Sequence, residues 1–227
     1  IDLTVMPIAS GFWTSWQPFS LPQCWPYCWW VAIIVDHFSH RIMGTTSFAK
    51  QPTSEEVRAF FGRTIHGAGA TPKYLICDQG SQFWCEGFKT WAKRRNIRIR
   101  YGAIGKHGSI AVVERCIRTI KELCRCLLLI PLTHIAFRRE LNHIISWYNE
   151  SRPHDTLNGQ TPNERYFHCF PAHRKPRHEP RSRWPRGSPC AGPWALVRGK
   201  PGVKLDLQVE FQGGHKHLPI VSLRRAA

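Results

Sequence analysis

Residues 74–83 read Tyr74-Leu75-Ile76-Cys77-Asp78-Gln79-Gly80-Ser81-Gln82-Phe83. Four mostly apolar residues without a break describe a short buried strand, and the strand ends on an acid. Gly80 marks a turn, and Ser81 can cap a helix carrying Phe83, Phe88 and Trp91. On the upstream side, Thr53-x-x-Glu56 forms a capping box before Val57, Phe60 and Phe61, so a helix is expected to start near Thr53. On the downstream side, Ile97 to Arg100 reads as a further strand. Before all of these lie an apolar first strand (Ile1, Leu3, Val5, Ile8) that carries Asp2, and a hairpin. The hairpin runs Trp30 to Val35, turns at Asp36-His37-Phe38-Ser39-His40 and returns over Arg41 to Phe48. Three strands, a helix, a strand, a helix and a strand predict an α/β fold, a mixed five-stranded sheet covered by helices on both faces.

Beyond a loop containing Gly102, Gly105 and Gly108, one long helix is expected from about Ile110 to Leu129, stopped by Pro131. Another is expected from about Thr133 to Asn149. Thr161-Pro162-Asn163-Glu164 places a Thr cap, a Pro at the first helical position and a Glu at the third, marking a short further helix. From Pro171 to Pro193 the composition shifts to Arg, Pro and His. Val203, Leu205, Leu207, Val209 and Phe211 then alternate with polar residues, and with Trp194 to Val197 and His217 to Leu223 they suggest three strands. The expected division is a core over 1–168, a basic linker over 169–193 and a small β unit over 194–227.

The 227 residues include 32 Lys plus Arg against 15 Asp plus Glu, a formal net charge of +17. That excess favours a polyanionic partner, because each neutralised phosphate releases condensed counterions. With 42% hydrophobic and 12% aromatic residues, the chain has the material for a packed core. Pro7, Pro18, Pro22 and Pro26 interrupt the uncharged segment 3–35, and no basic region precedes an apolar one, so neither a membrane span nor a signal peptide is expected. The chain reads as cytoplasmic, and as nucleoid-associated in a bacterial cell. Nine cysteines are then expected to be reduced and mostly buried. Cys24-x3-Cys28 and Cys124-x-Cys126 lack a second ligand pair at finger spacing, which argues against structural zinc.

Cleaving a phosphodiester with two metals needs carboxylates that converge on one point and hold ions ~3.5–4 Å apart. Asp78 ends a strand beside a turn, Glu114 lies in the first turns of the long helix, and Asp2 sits on the first strand. Singly, each has a plainer reading: Asp78 as a cap, Glu114 as an i,i+4 partner of Arg118, Asp2 as an end charge. Positions 79 to 113, 35 residues, separate Asp78 from Glu114. That pattern resembles the Asp…Asp-x35-Glu signature of retroviral integrases and related DDE transposases. Cys77-Asp78-Gln79-Gly80-Ser81-Gln82-Phe83 looks like the family's Asp-x-Gly-x-x-Phe segment. Lys106-His107-Gly108-Ser109-Ile110-Ala111-Val112-Val113-Glu114-Arg115 looks like its catalytic-helix entry. Val35 to Arg41 is similar to its second-strand turn, and Tyr148-Asn149-x2-Arg152-Pro153-His154-x2-Leu157-x-Gly159-x-Thr161-Pro162-x-Glu164 resembles its C-terminal signature. Together they cover about residues 1 to 168.

The resemblance implies a ribonuclease H-like fold whose catalytic and metal-holding residues are Asp2, Asp78 and Glu114. It implies two Mg²⁺ or Mn²⁺ ions per site, nicking of DNA, and strand transfer by a 3′-hydroxyl, with the protein working as a homo-oligomer on element ends and target. Asp36 is the rival first carboxylate, but its segment matches the second strand, where the aspartate serves the turn. With Asp2 second in the chain, the first strand is expected to be short, with no upstream helix-turn-helix or zinc domain. Arg118, Lys121 and Arg125 recur on the helix face of Glu114, and with Lys106 at its entry they are the expected DNA contacts. His107 carries no assigned role. The aromatic insertion from Phe12 to Trp30 contains no Lys or Arg, so core packing or a subunit interface is expected of it rather than base stacking. Two other functions share these features: a catalytically inactive DNA-binding remnant of a mobile element, and a nuclease of the same fold without strand transfer.

Overall fold

The computed structural model describes residues 1–7, 24–102, 110–125, 130–169 and 205–225. Strand β1 (Asp2–Pro7) pairs antiparallel with β2 (Cys28–Val35), and β2 with β3 (Ile42–Phe48). β2 is the middle strand, and its Val31, Ala32 and Ile33 are each fully buried. A strand covered on both faces needs a continuous apolar run, and Cys28 to Val35 provides one. Its side chains divide by the period of two: Trp29, Val31 and Ile33 enter one core, Ala32 and Ile34 the other. At the hairpin turn, Asp36 Oδ2 accepts from the Ser39 amide at 2.8 Å and the Ser39 hydroxyl at 2.6 Å.

Helix α1 (Ser54–Ala68) starts at the expected capping box of Thr53 and Glu56 and ends at Gly69, whose φ of 66° suits a residue without Cβ. Strand β4 (Tyr74–Cys77) runs parallel to β5 (Arg98–Tyr101). Between them the single helix expected after Gly80 is divided into α2 (Ser81–Trp84) and α3 (Glu86–Arg94) by the extended Cys85. The Cys85 thiol donates to Ser54 Oγ at 2.9 Å, tying that break to the start of α1. The cap is Gly80 rather than Ser81, and it offers no side-chain bond. α1 and α3 cover the second core, which holds Val57, Phe60, Phe61, Leu75, Phe83 and Phe88.

The opposite face is covered by α4 (Ala111–Arg125) and α5 (His134–Glu150, capped by Thr133). Val113, Cys116, Ile117, Ile120 and Cys124 turn inward at helical spacing and meet Phe137, Leu141, Ile144 and Tyr148. Helix α6 (Pro162–Phe167) carries the expected capping box of Thr161 and Glu164 and the Pro in its first turn.

The expected continuous five-stranded sheet is not observed as one hydrogen-bonded ladder. β1–β2–β3 and β4–β5 form separate sheets, joined through the Ile1 nitrogen, which donates to Ile76 O at 2.9 Å. β4 ends one residue past Ile76, leaving β1 little strand to pair with. At the C-terminus, β6 (Leu205–Phe211) and β7 (Pro219–Arg225) form a two-stranded hairpin. Trp194 to Val197, expected to add a third strand, lie outside the described residues, as does nearly all of the expected linker. The hairpin leans on α5: Leu218 is fully buried in the first core, and Trp147 Nε1 donates to Pro219 O at 2.7 Å. Among the described residues no helix is long and apolar enough to cross a membrane.

Of the aromatic insertion, Cys24 to Trp30 are described. Trp29 fits the expectation of core packing: it stacks on Phe137 with ring centroids 5.6 Å apart and donates from Nε1 to Pro131 O at 3.0 Å. Trp25 and Tyr27 are exposed.

Candidate active site

On β1, Ile1 and Leu3 pack into the core under α1, which turns the alternate residues Asp2 and Thr4 toward the α4 side. On α4, Glu114, Ile117, Arg118, Lys121 and Glu122 follow one another at helical spacing along the surface facing β1. Asp2, Thr4 and these five residues line one open cleft of about 470 Å³. Glu114 and Arg118 are exposed, while Asp2 is half-buried. Thr4 and Glu122 complete the lining without having been singled out from the sequence. Their signal is periodicity: Thr4 lies two residues from Asp2 on a strand, and Glu122 two helical turns beyond Glu114.

Asp78 follows the last residue of β4, where Cys77 O still accepts from Gly102 N at 3.0 Å. Its Oδ1 accepts from Gly80 N at 3.3 Å, a local turn bond that stops short of capping α2. A Cβ at Gly80 would lie 2.9 Å from Gln82 Oε1 and 3.2 Å from Asp78 Oδ1, so these side-chain ends would have to shift to admit one.

Asp78 is not among the residues that line this cleft, but its charge, like that of Glu114, is felt at Asp2. The Asp2 pKa is raised from 3.8 to about 6, chiefly by burial, with smaller contributions from the charges of Asp78 and Glu114 and against the lowering pull of the Leu3 amide bond. Asp2 keeps one firm partner, the Leu3 N–H at 2.7 Å. Asp2, Asp78 and Glu114 together offer only oxygen donors, the kind of set that suits a hard divalent cation. Their oxygens are not yet gathered: among the described residues, the group of three ligand side chains with donor atoms all within 4.8 Å of one another lies elsewhere.

The remaining expected residues fall as follows. Lys121 lines the cleft with Arg118. Arg125 is the last residue of α4, and its side chain is outside the description. Lys106 and His107 lie outside the described residues. Asp36, spent on the Ser39 turn, takes no part in the cleft.

The C-terminal signature turns out to be a buttress. Asn149 Oδ1 accepts from Ile42 N at 2.9 Å and its Nδ2 donates to Ile42 O at 3.0 Å, so a side chain of α5 pairs with the outer edge of β3. Arg41 Nε donates to Asn163 Oδ1 at 2.7 Å, and its guanidinium lies 4.9 Å from the Tyr166 ring centroid. Thr161 N donates to Glu164 Oε2 at 2.8 Å in a fully buried cap. These residues hold the β2–β3 hairpin and, through β2, the strand that carries Asp2.

Two family models, both described as an integrase core domain, match residues 1–107 and 95–162. Over 80 residues, 35% of this chain, the sequence is 39% identical to the Pro-Pol polyprotein of feline foamy virus; the matched part is 6% of that polyprotein. Among solved structures, the simian T-cell lymphotropic virus intasome in complex with the PP2A regulatory subunit B56 gamma superposes with a TM-score of 0.53 at 16% identity, covering 99% of this chain and 67% of that one. The HTLV-2 integrase catalytic core domain in complex with magnesium matches at a TM-score of 0.49 and 20% identity, over 72% of this chain and 93% of that one.

Proposed function

We propose, for a chain that belongs to the integrase core domain family, that its carboxylate cleft cuts and joins DNA strands with the help of divalent metal ions. The fold is the mixed α/β, ribonuclease H-like arrangement of that family. The observation that supports the proposal is the open cleft in which Asp2 and Glu114 meet beside Arg118 and Lys121, with the charge of Asp78 also felt at Asp2. Asp2 and Glu114 line the same cleft, and a cation held there would offset the repulsion between their charges. Asp2, Asp78 and Glu114 would hold the ions, Mg²⁺ or Mn²⁺, two per site. When bound, such ions activate an attacking oxygen and stabilise the leaving one.

The chain's own residues supply the rest. Asp2 sits on β1, which is paired with β2, and Asp78 on the turn after β4, which is paired with β5. α4 brings Glu114 from across the cleft and sets Arg118 and Lys121 along its floor, where cations can grip the phosphates flanking the scissile bond. The net charge of +17 adds affinity without sequence preference. A homo-oligomer assembled on element ends and target DNA is part of the same reading.

The test is nicking and strand transfer on supercoiled plasmid with Mg²⁺ or Mn²⁺, comparing wild type with Asp78→Asn and Glu114→Gln. Metal-dependent products that both variants abolish, with DNA binding retained, support the reading. Nicks without joined products favour a nuclease. A wild type that binds DNA yet stays inert under both metals identifies a non-catalytic relative.

A further inference from the structure

Far from the carboxylate cleft in sequence, the C-terminal hairpin turns over the middle of α5. Gln212-Gly213-Gly214 makes the turn, with Gly213 at a φ of 56°. A Cβ on Gly213 would lie 3.0 Å from His143 Nδ1, a tight contact that, with the positive φ, favours glycine where the backbone nears the helix. The approach delivers His215 and His217, two residues apart, against a carboxylate on α5. Glu140 Oε1 is 3.5 Å from His215 Nδ1 and 3.5 Å from His217 Nε2. The Glu140 and His217 side chains are 11% and 12% exposed. The three donor atoms all lie within 4.8 Å of one another.

These contacts are poor hydrogen bonds. Among the described residues, neither Glu140 Oε1 nor His217 Nε2, both buried, has a hydrogen-bond partner. A buried carboxylate oxygen and a buried imidazole nitrogen left unpaired beside each other are costly. An ion pair is a weak explanation, because both nitrogen–oxygen separations are as long as 3.5 Å. A shared ion explains the spacing better. Ligands ~2.0–2.1 Å from a tetrahedral centre stand ~3.3–3.5 Å apart, whereas hydrogen-bonded N and O stand ~2.7–3.2 Å apart.

We propose that Glu140, His215 and His217 form a site for a divalent transition metal ion, zinc foremost, that fastens the C-terminal hairpin to α5. Two imidazoles and one carboxylate suit zinc, whereas magnesium prefers oxygen alone. Three protein ligands leave one position for water. His143, whose ring centroid lies 4.9 Å from that of His215, flanks the set. Cysteine spacing gives no hint of this site, because the set contains no cysteine. The ion is distinct in chemistry and place from those of the carboxylate cleft, and it orders the hairpin rather than acting on DNA.

The experiment uses the full chain, stripped with EDTA, its exposed thiols alkylated, in millimolar Mg²⁺ to occupy all-oxygen sites. Zn²⁺ is titrated against a chromophoric chelator, Co²⁺ binding is followed by visible absorption, and the melting temperature is recorded with and without Zn²⁺. Wild type is expected to bind one equivalent, to give an intense low-symmetry Co²⁺ spectrum, and to melt higher with Zn²⁺. Glu140→Gln and His217→Gln should each weaken binding at least tenfold and remove the thermal shift. Circular dichroism checks that each variant is folded. Should Glu140→Gln unfold, His217→Gln and His215→Gln decide the matter. No bound equivalent in wild type, or unchanged affinity in folded histidine variants, overturns the proposal.

Discussion

Replacing Asp2 with Asn should stabilise the metal-free protein while removing its catalytic function. The folded Asp2 titrates at about 6 against an ordinary value of 3.8. Between these values the folded chain binds the extra proton, so stability falls as pH rises through the window, and the loss is complete above pH 6. A rise of this size corresponds to ~3 kcal/mol, and solvent reaching the half-exposed carboxylate reduces it to ~2 kcal/mol. Asn carries no charge but keeps an oxygen for the Leu3 amide, now bonded at 2.7 Å. The stability difference between Asp2→Asn and wild type in EDTA should therefore grow by ~2 kcal/mol from pH 4 to pH 7.5. Urea unfolding at the two pH values measures it. Adding Mg²⁺ should raise wild-type stability and leave the variant unchanged. A difference that does not change with pH would refute the claim that burial holds the Asp2 pKa above the ordinary carboxylate range.

Asn149→Ala removes both bonds to Ile42 and leaves a buried strand edge unpaired; a loss of ~2–4 kcal/mol in urea unfolding is expected, with the denaturant slope unchanged. Asp36→Ala deletes the two bonds to Ser39 and should cost ~1–2 kcal/mol. Metal-dependent nicking by the folded variant should survive that change, and loss of nicking would reinstate Asp36 as the first carboxylate. Arg118→Ala and Lys121→Ala should each weaken DNA binding to a similar degree on unrelated sequences and flatten the plot of log affinity against log salt by ~1, measured by fluorescence anisotropy. An unaltered slope in both removes them from the DNA surface.

The elements that could be read along the chain are those fixed by short-range chemistry. The boxes at Thr53–Glu56 and Thr161–Glu164 close bonds between residues three apart, so the sequence alone locates both helix starts. The apolar run of β2 announces a strand buried on both faces, and the period of α4 announces which side faces the core. The 35-residue interval pointed to Asp78 and Glu114 as a pair. The division of α2 from α3 escaped notice because it depends on Cys85 meeting Ser54, a contact across 31 positions. The roles of Asn149 and Asn163 were equally hidden, since an amide pairing with Ile42 across 107 positions leaves no local pattern. Glu140, His215 and His217 lie on separate elements, and each alone is an ordinary polar residue. Sequence thus determined which segments become helices and strands, because caps, turns and periodicity act within a few residues. Only the tertiary structure decided which side chains share a cleft or a ligand set, because those distances exist only after distant segments have packed.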